Sequence, residues 1–318
     1  MKRHLVTGAR GSGGSYMAEY LQSHGEVYGL GRWHTSKAIA DEPAFPVYEC
    51  DMLDPGRLGD VLADCEPDYI YHLASHANVR ASFDNPSAVL KNNIDCTMNL
   101  LEAVRRIVPD AVLLLCSSSE VYGQIKPATN HQPSKINEGN ALKPVSPYAV
   151  SKLTQDAMGY AWFKSFGVKV IRTRMFTYLN PRRADLFATS FAMQVARIEV
   201  GLQEHLTHGN LRSVRTVLDV RDAVRAYHLA ATKGIPGEVY NIGGSKTMTV
   251  QDFLLTLAQM AKVPIVSKED PALMRPADVT LQIPDCSLFR ERTGWKPEIS
   301  FEESIEHLLD HCRGVVNG

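Results

Sequence analysis

Tyr148 and Lys152 stand four residues apart in Ser146-Pro147-Tyr148-Ala149-Val150-Ser151-Lys152. On a helix that spacing puts both side chains on one face. At pH 7 only about one tyrosine in a thousand is ionised, so using one as a base takes a drop of about three pKa units, roughly 4 kcal/mol. A neighbouring ammonium supplies part of that. Upstream, Ser117-Ser118-Ser119-Glu120-Val121-Tyr122-Gly123 follows the apolar run Ala111 to Cys116, which reads as a strand buried on both faces. The carboxyl end of a parallel strand is where such sheets place ligands. There Ser118 can hydrogen-bond a substrate oxygen and Glu120 can act as a general acid or base. Taken alone, the first group is an ordinary surface pair and the second a solvated serine-rich turn. Their company with a third group reverses that reading.

The third group is Thr7-Gly8-Ala9-Arg10-Gly11-Ser12-Gly13-Gly14, set between a short apolar run (His4 to Thr7) and a segment of helical spacing (Tyr16 to Leu21). Gly8, Gly11 and Gly14 form G-x-x-G-x-x-G. Backbone N–H groups in such a loop approach a pyrophosphate that a Cβ would block, and the helix N-terminus adds about half a positive charge. A glycine triplet by itself is equally a structural loop. Its place between strand and helix, with Asp51 closing a later strand where an adenine contact would sit, points to a dinucleotide. The second strand ends at Gly31-Arg32-Trp33-His34. An acidic residue there would bond a ribose 2′-hydroxyl. Arg32, with help from Arg10, suits a 2′-phosphate, so NADP is expected over NAD; the plainer alternative is two solvated arginines.

The elements that must hold these residues alternate. Strands are expected at 4–7, 27–30, 45–50, 69–73, 111–116 and 168–172. Helices are expected at 16–21 with Gly25 as its C-cap, at 58–65, at 86–107, and at 146–166 closed by Gly167. This is the pattern of an α/β, doubly wound parallel sheet with right-handed crossovers. Past residue 175 the rhythm turns irregular. A large lobe is therefore expected at 1–175, with about 212–243 returning to it, and a smaller lobe over most of 176–318.

The 318 residues are 44% hydrophobic and 22% charged, as in ordinary globular proteins. Lys and Arg number 34 against 35 Asp and Glu, a net charge of -1 that suggests neither a nucleic-acid nor a membrane partner. No run approaches the roughly 20 apolar residues of a membrane helix, and the N-terminal segment runs straight into a strand. The six cysteines form no C-x-x-C pair. Reduced thiols and a cytoplasmic location are expected. His72 and His76 share a four-residue spacing but straddle a strand end, and with His34 they make no metal constellation, so no metal is expected.

Together these residues resemble the extended short-chain dehydrogenase/reductase family of nucleotide-sugar enzymes. Gly8, Gly11, Gly14, Asp51, His72-Leu73-Ala74, Ser118, Tyr148 and Lys152 all have counterparts there. Gly14-Ser15-Tyr16-Met17-Ala18-Glu19-Tyr20-Leu21, Pro181-Arg182-Arg183, Phe187-Ala188-Thr189 and Ala196-Arg197-Ile198 are similar to the GDP-mannose 4,6-dehydratase group. Arg275 to Val279 and Gly294 to Pro297 occur in those dehydratases and in GDP-4-keto-6-deoxymannose reductases. Arg215 to Asp222 looks more like the reductases. Two departures stand out: Thr177 replaces the usual asparagine that helps hold the sugar, and the arginine loop after the second strand, Arg32 to Ser36, is short.

The resemblance implies a Rossmann-like fold with a C-terminal substrate lobe. It implies a cofactor set of Gly8, Gly11, Ser12, Gly13, Gly14, Arg32, Asp51, Met52, Leu73, Ala74, Tyr148 and Lys152. Thr177, Asn180, Arg183, Arg215 and Arg275 are the expected contacts to a GDP-linked sugar; the plainer reading of Arg215 and Arg275 is a structural salt bridge. The implied reaction is internal. Tyr148 removes the 4-hydroxyl proton as hydride goes to NADP, Glu120 takes the C5 proton and helps water leave C6, and hydride returns to C6. The alternative is an NADPH-dependent reductase using the same Tyr148 and Lys152, with a catalytically silent dinucleotide-binding protein as a remote third. A homodimer through the helices at 86–107 and 146–166 is also implied. The short arginine loop argues against a tetramer.

Overall fold

A computed structural model describes residues 1–32, 43–125 and 135–318. Trp33, His34 and Ser36 lie outside the described residues, and with them the short-loop argument about the tetramer.

The large lobe runs β1 (Arg3–Thr7), α1 (Ser12–Leu21), β2 (Glu26–Gly31), β3 (Val47–Glu49), α2 (Pro55–Cys65), β4 (Tyr69–His72), one-turn α3 (Ala81–Asp84), α4 (Pro86–Ile107), β5 (Val112–Ser118), α5 (Pro147–Phe166) and β6 (Val170–Met175). The chain continues through β7 (Tyr178–Leu179), α6 (Phe187–Glu199), β8 (Leu206–His208), β9 (Val214–Asp219), α7 (Val220–Lys233) and β10 (Val239–Ile242). It ends with β11 (Lys246–Thr249), α8 (Val250–Gln259), β12 (Ser267–Glu269), β13 (Leu281–Gln282), α9 (Ser287–Thr293) and α10 (Phe301–Asn317).

Seven parallel strands form one sheet in the order β10-β6-β5-β4-β1-β2-β3. The order reverses between β1 and β4, so the loops leaving those two strands diverge and open a crevice at their carboxyl ends. The glycine loop leaves β1 and residues 73–80 leave β4. Local chemistry sets the helix ends that frame this crevice. The Ser146 side chain caps α5 by accepting from the Ala149 N–H, Pro147 starts the helix, and Gly167 ends it at φ 72. Asn85 and Pro86 do the same at the start of α4. Gly25 is not the left-handed cap expected for α1, which ends at Leu21. Its small size serves packing instead, because a Cβ there would sit 2.1 Å from the Lys2 carbonyl oxygen.

The smaller lobe is a sheet of β11, β9 and β13 with β7 on β9, covered by α6, α8 and α10. Over the expected return at about 212–243 the elements divide between the two sheets. β10 joins the large sheet, beside β6, and α7 packs on α1 and that sheet, but β9 at 214–219 belongs to the small sheet. Phe289 and Trp295 also pack in the large-lobe core, against Tyr240 and α7, so the C-terminal third crosses between lobes more than once.

Two contacts tie the architecture together. Arg182 donates to Ser15 Oγ (2.9 Å) and Glu19 Oε1 (2.7 Å), and its guanidinium lies 4.0 Å from the centre of the Tyr16 ring. The Gly14–Leu21 and Pro181–Arg183 segments therefore touch across the lobes. In the large-lobe core, Asp156 of α5 receives Arg172 Nη1 and Arg174 Nε at 2.8 Å each, with all three side chains almost wholly buried. Arg174 also donates to the Tyr122 hydroxyl at 3.0 Å, and this fixes α5 against the carboxyl ends of β5 and β6.

Candidate active site

A single cleft of about 920 Å³ runs from the glycine loop to the small lobe. Its first part is a cradle shaped by absent side chains. Gly8 sits at φ +70, and a Cβ there would press on Ala74 at 3.0 Å; at Gly14 it would strike the Gly8 carbonyl oxygen at 2.0 Å. The Gly8 and Gly11 amides bond Leu30 and Gly8 carbonyls, so the loop is held by its own backbone at the start of α1. Arg32 and Asp51 face each other across the rim at 3.5 Å. Gly8, Gly11, Ser12, Gly13, Gly14, Arg32, Asp51, Met52, Leu73 and Ala74 all line the cleft. A cradle open to backbone approach at a helix N-terminus fits a dinucleotide pyrophosphate.

The reactive groups lie where β5 ends and α5 begins. Tyr148 and Ser118 line the cleft together, and the Ser118 Oγ accepts the Glu120 amide at 3.2 Å. Lys152 Nζ donates to the Cys116 carbonyl at 2.8 Å and lies 6.0 Å from the Tyr148 ring centre. Burial lowers the Lys152 ammonium to about 8. Burial also pushes the Tyr148 phenol up to about 12, against the pull of the Arg183 guanidinium. Among the cations around the phenol, Arg183 lowers it most, while Lys152 is aimed at a backbone carbonyl. Glu120 is raised as well, by burial first, with Arg215 and Arg275 opposing. Its Oε1 accepts Gln282 Nε2 at 3.2 Å. A carboxyl raised above its ordinary value beside a phenol is placed to take and to give a proton.

A polar network backs this centre. Ser151 Oγ donates to the Tyr148 carbonyl at 2.7 Å and accepts Asn93 Nδ2 at 2.9 Å, while Asn93 Oδ1 takes the His76 amide at 2.7 Å. His72 bridges Thr7 Oγ1 (2.9 Å) and Thr97 Oγ1 (3.0 Å), so it braces β1, β4 and α4. Among the described residues no cluster of three or more His, Cys, Asp or Glu is placed to hold a metal.

Toward the small lobe, Thr177, Arg183, Arg215 and Arg275 line the cleft. Arg183 donates to the Ala77 carbonyl at 2.7 Å and to Asp185 at 3.0 Å. Arg215 and Arg275 converge on Asp278 at 4.0 and 3.6 Å. Asn180 does not join them. It is fully buried, its Oδ1 accepts the Arg182 amide at 3.0 Å, and its carbonyl takes the Thr189 hydroxyl at 2.9 Å. Sequence reasoning passed over Gln282, Tyr178 and Tyr227, all of which line the cleft. No local motif marks them: Gln282 meets Glu120 from 162 positions away.

Residues 5–308 match the family described as GDP-mannose 4,6 dehydratase. The chain belongs to that family. Among curated relatives of this dehydratase family member, a GDP-6-deoxy-D-mannose reductase of Pseudomonas aeruginosa is 32% identical over 310 residues, 97% of this chain and 96% of its own. A GDP-mannose 4,6-dehydratase of Yersinia enterocolitica is 28% identical over 353 residues, 97% and 93% of the two chains. Among solved structures, RMD from Pseudomonas aeruginosa complexed with NADPH aligns with a TM-score of 0.84 at 29% identity, over 99% of this chain and 100% of that one. A UDP-glucose 4-epimerase from Thermotoga maritima aligns at 0.85 with 25% identity, over 99% of each. The expected family and the Rossmann-like, doubly wound fold are both established by these matches.

Proposed function

We propose that this family member is an NADP-dependent 4,6-dehydratase acting on GDP-mannose or a closely related GDP-sugar. The observation that carries the reading is the presence in one cleft of the Tyr148 phenol and the Glu120 carboxyl, the latter held toward its protonated form. Gly8 to Gly14, Arg32 and Asp51 would hold the dinucleotide. When bound, NADP supplies a positively charged ring beside the phenol and a reversible hydride acceptor. Tyr148 takes the proton of the sugar 4-hydroxyl while Ser118 hydrogen-bonds the C4 oxygen. Once C4 is a ketone, Glu120 removes the acidified C5 proton and protonates the C6 oxygen as water leaves. Lys152, fixed on the Cys116 carbonyl, keeps the Tyr148 face of the helix in register. Arg215 and Arg275 bind the substrate diphosphate through their planar guanidinium forks.

The decisive trial is GDP-mannose with no added reductant. A product lighter by one water is expected; turnover only with stoichiometric NADPH overturns the reading. A second reading, an NADPH-dependent 4-keto-6-deoxymannose reductase, is favoured by the 32% identical relative and by the phenol's rise to about 12, which suits proton donation. Glu120→Gln separates the two. It abolishes dehydration by removing the C5 base and leaves a reductase largely active.

We further infer a cytoplasmic homodimer. None of the six cysteines is disulfide-bonded, and among the described residues no helix is long and apolar enough to cross a membrane. Met98 of α4 and Val150, Tyr160 and Phe166 of α5 are exposed apolar side chains on the two helices expected to pair. Light scattering is expected to give twice 35.2 kDa.

A further inference from the structure

Tyr178 has no part in the mechanism above, yet it reaches the glycine loop from the other lobe. Its backbone belongs to β7, which pairs with β9 through Tyr178 and Leu218. Its ring packs on the large-lobe core. Its hydroxyl oxygen lies 3.4 Å from where a Cβ on Gly13 would stand, in the first turn of α1. It also lies in the field of Arg183 and of the Tyr148 phenol. Among the described residues the hydroxyl has no hydrogen-bond partner, although the residue lines the cleft. A hydroxyl set over a helix N-terminus, beside amides able to cradle an anion, is placed to serve such an anion. Gly13 makes the approach possible, since any side chain longer than a methyl would meet the phenol.

We propose that the Tyr178 hydroxyl donates a hydrogen bond to the pyrophosphate of the dinucleotide seated on the glycine loop. The contact is made by the small lobe to a ligand held by the large one, so it couples cofactor retention to lobe position. The proposal rests on the dinucleotide reading of that loop.

The test measures direct binding, by fluorescence for NADPH and by calorimetry for 2′-phospho-ADP-ribose, which keeps the pyrophosphate and lacks the nicotinamide. Tyr178→Phe keeps the ring and removes only the hydroxyl. It is expected to weaken both ligands on the order of ten-fold, equal to about 1.4 kcal/mol, with the melting temperature of the free protein unchanged. Equal affinity for wild type and variant overturns the proposal alone. A loss confined to NADPH overturns the pyrophosphate assignment, since the hydroxyl would then serve the nicotinamide end. Wild-type protein that binds neither ligand overturns the dinucleotide reading and the proposal with it.

Discussion

At the Tyr148 end of the cleft, one strand end and one helix start supply Ser118, Glu120, Tyr148 and Lys152. At the Arg215 end, separate segments around 208–213, 215, 275–278 and 282 meet from different elements. The first end is braced from behind. Lys152 is tied to Cys116, Ser151 to Tyr148, and Asp156 to two arginines, nearly all of it buried. The second end is looser: Arg275 leaves 36% of its side chain exposed, and Asp278 spans two guanidinia at 3.6 to 4.0 Å. Groups that must meet a bond at one geometry sit on a fixed frame, while groups that grip a charged, flexible diphosphate need reach more than precision.

This contrast is open to direct attack. Tyr148→Phe removes the proton-carrying oxygen and little else, so turnover is expected to drop about 10²- to 10⁴-fold while the melting temperature holds. Unchanged kcat would remove the chemistry from this end. Asp156→Ala strands two buried guanidinia, and a loss of about 3–5 kcal/mol is expected in urea unfolding. A loss near zero would mean that water reaches Arg172 and Arg174 and the frame is softer than drawn. At the distal end, Arg215→Ala is expected to raise KM for the nucleotide sugar about ten- to a hundred-fold, as for a lost charge-assisted hydrogen bond. The more exposed Arg275→Ala should give a smaller rise; the reverse ranking would show that Arg275 is the principal grip.

The smallest effect is one of pH. Burial lowers His72 to about 3, and burial with the neighbouring His24 and His4 lowers His228 to about 4. Both imidazoles have an ordinary value of 6.5. Below that the unfolded chain takes up protons that the folded chain refuses. The stability these groups contribute is therefore complete above pH 6.5 and is lost as the pH falls toward 4. Melting temperatures from pH 7.5 to 4.5 should fall, and His228→Gln should flatten the slope. A flat wild-type profile would contradict the neutral state of the buried His72 and half-buried His228 rings.

The same contrast marks what could be read from the sequence. The braced end was legible because the candidate catalytic and cofactor residues sit within a few positions of each other: Ser146 to Lys152, Ser117 to Glu120 and Gly8 to Gly14. The end of α5 followed from Gly167, and the alternation of strands and helices gave the parallel sheet. The other end was legible only by family resemblance. Nothing near Gln282 announces Glu120, nothing near Tyr178 announces Gly13, and nothing at 214–219 distinguishes a strand of the small sheet from one of the large. Asn180 shows the limit from the other side. It sits in a promising segment, yet its side chain turns to the Arg182 backbone because burying an amide beside a tight turn demands a local partner.

Arg182 reaches across from Pro181-Arg182-Arg183 to Ser15, Tyr16 and Glu19, and this has a meaning for anyone who would recombine the protein. A chimera that took its large lobe from one family member and its small lobe from another would join two surfaces at this clasp. Such an exchange needs several crossovers, because the chain passes between the lobes more than once, and residues 15, 16, 19 and 182 have to come from the same parent. Otherwise a guanidinium arrives with neither carboxylate nor ring to receive it.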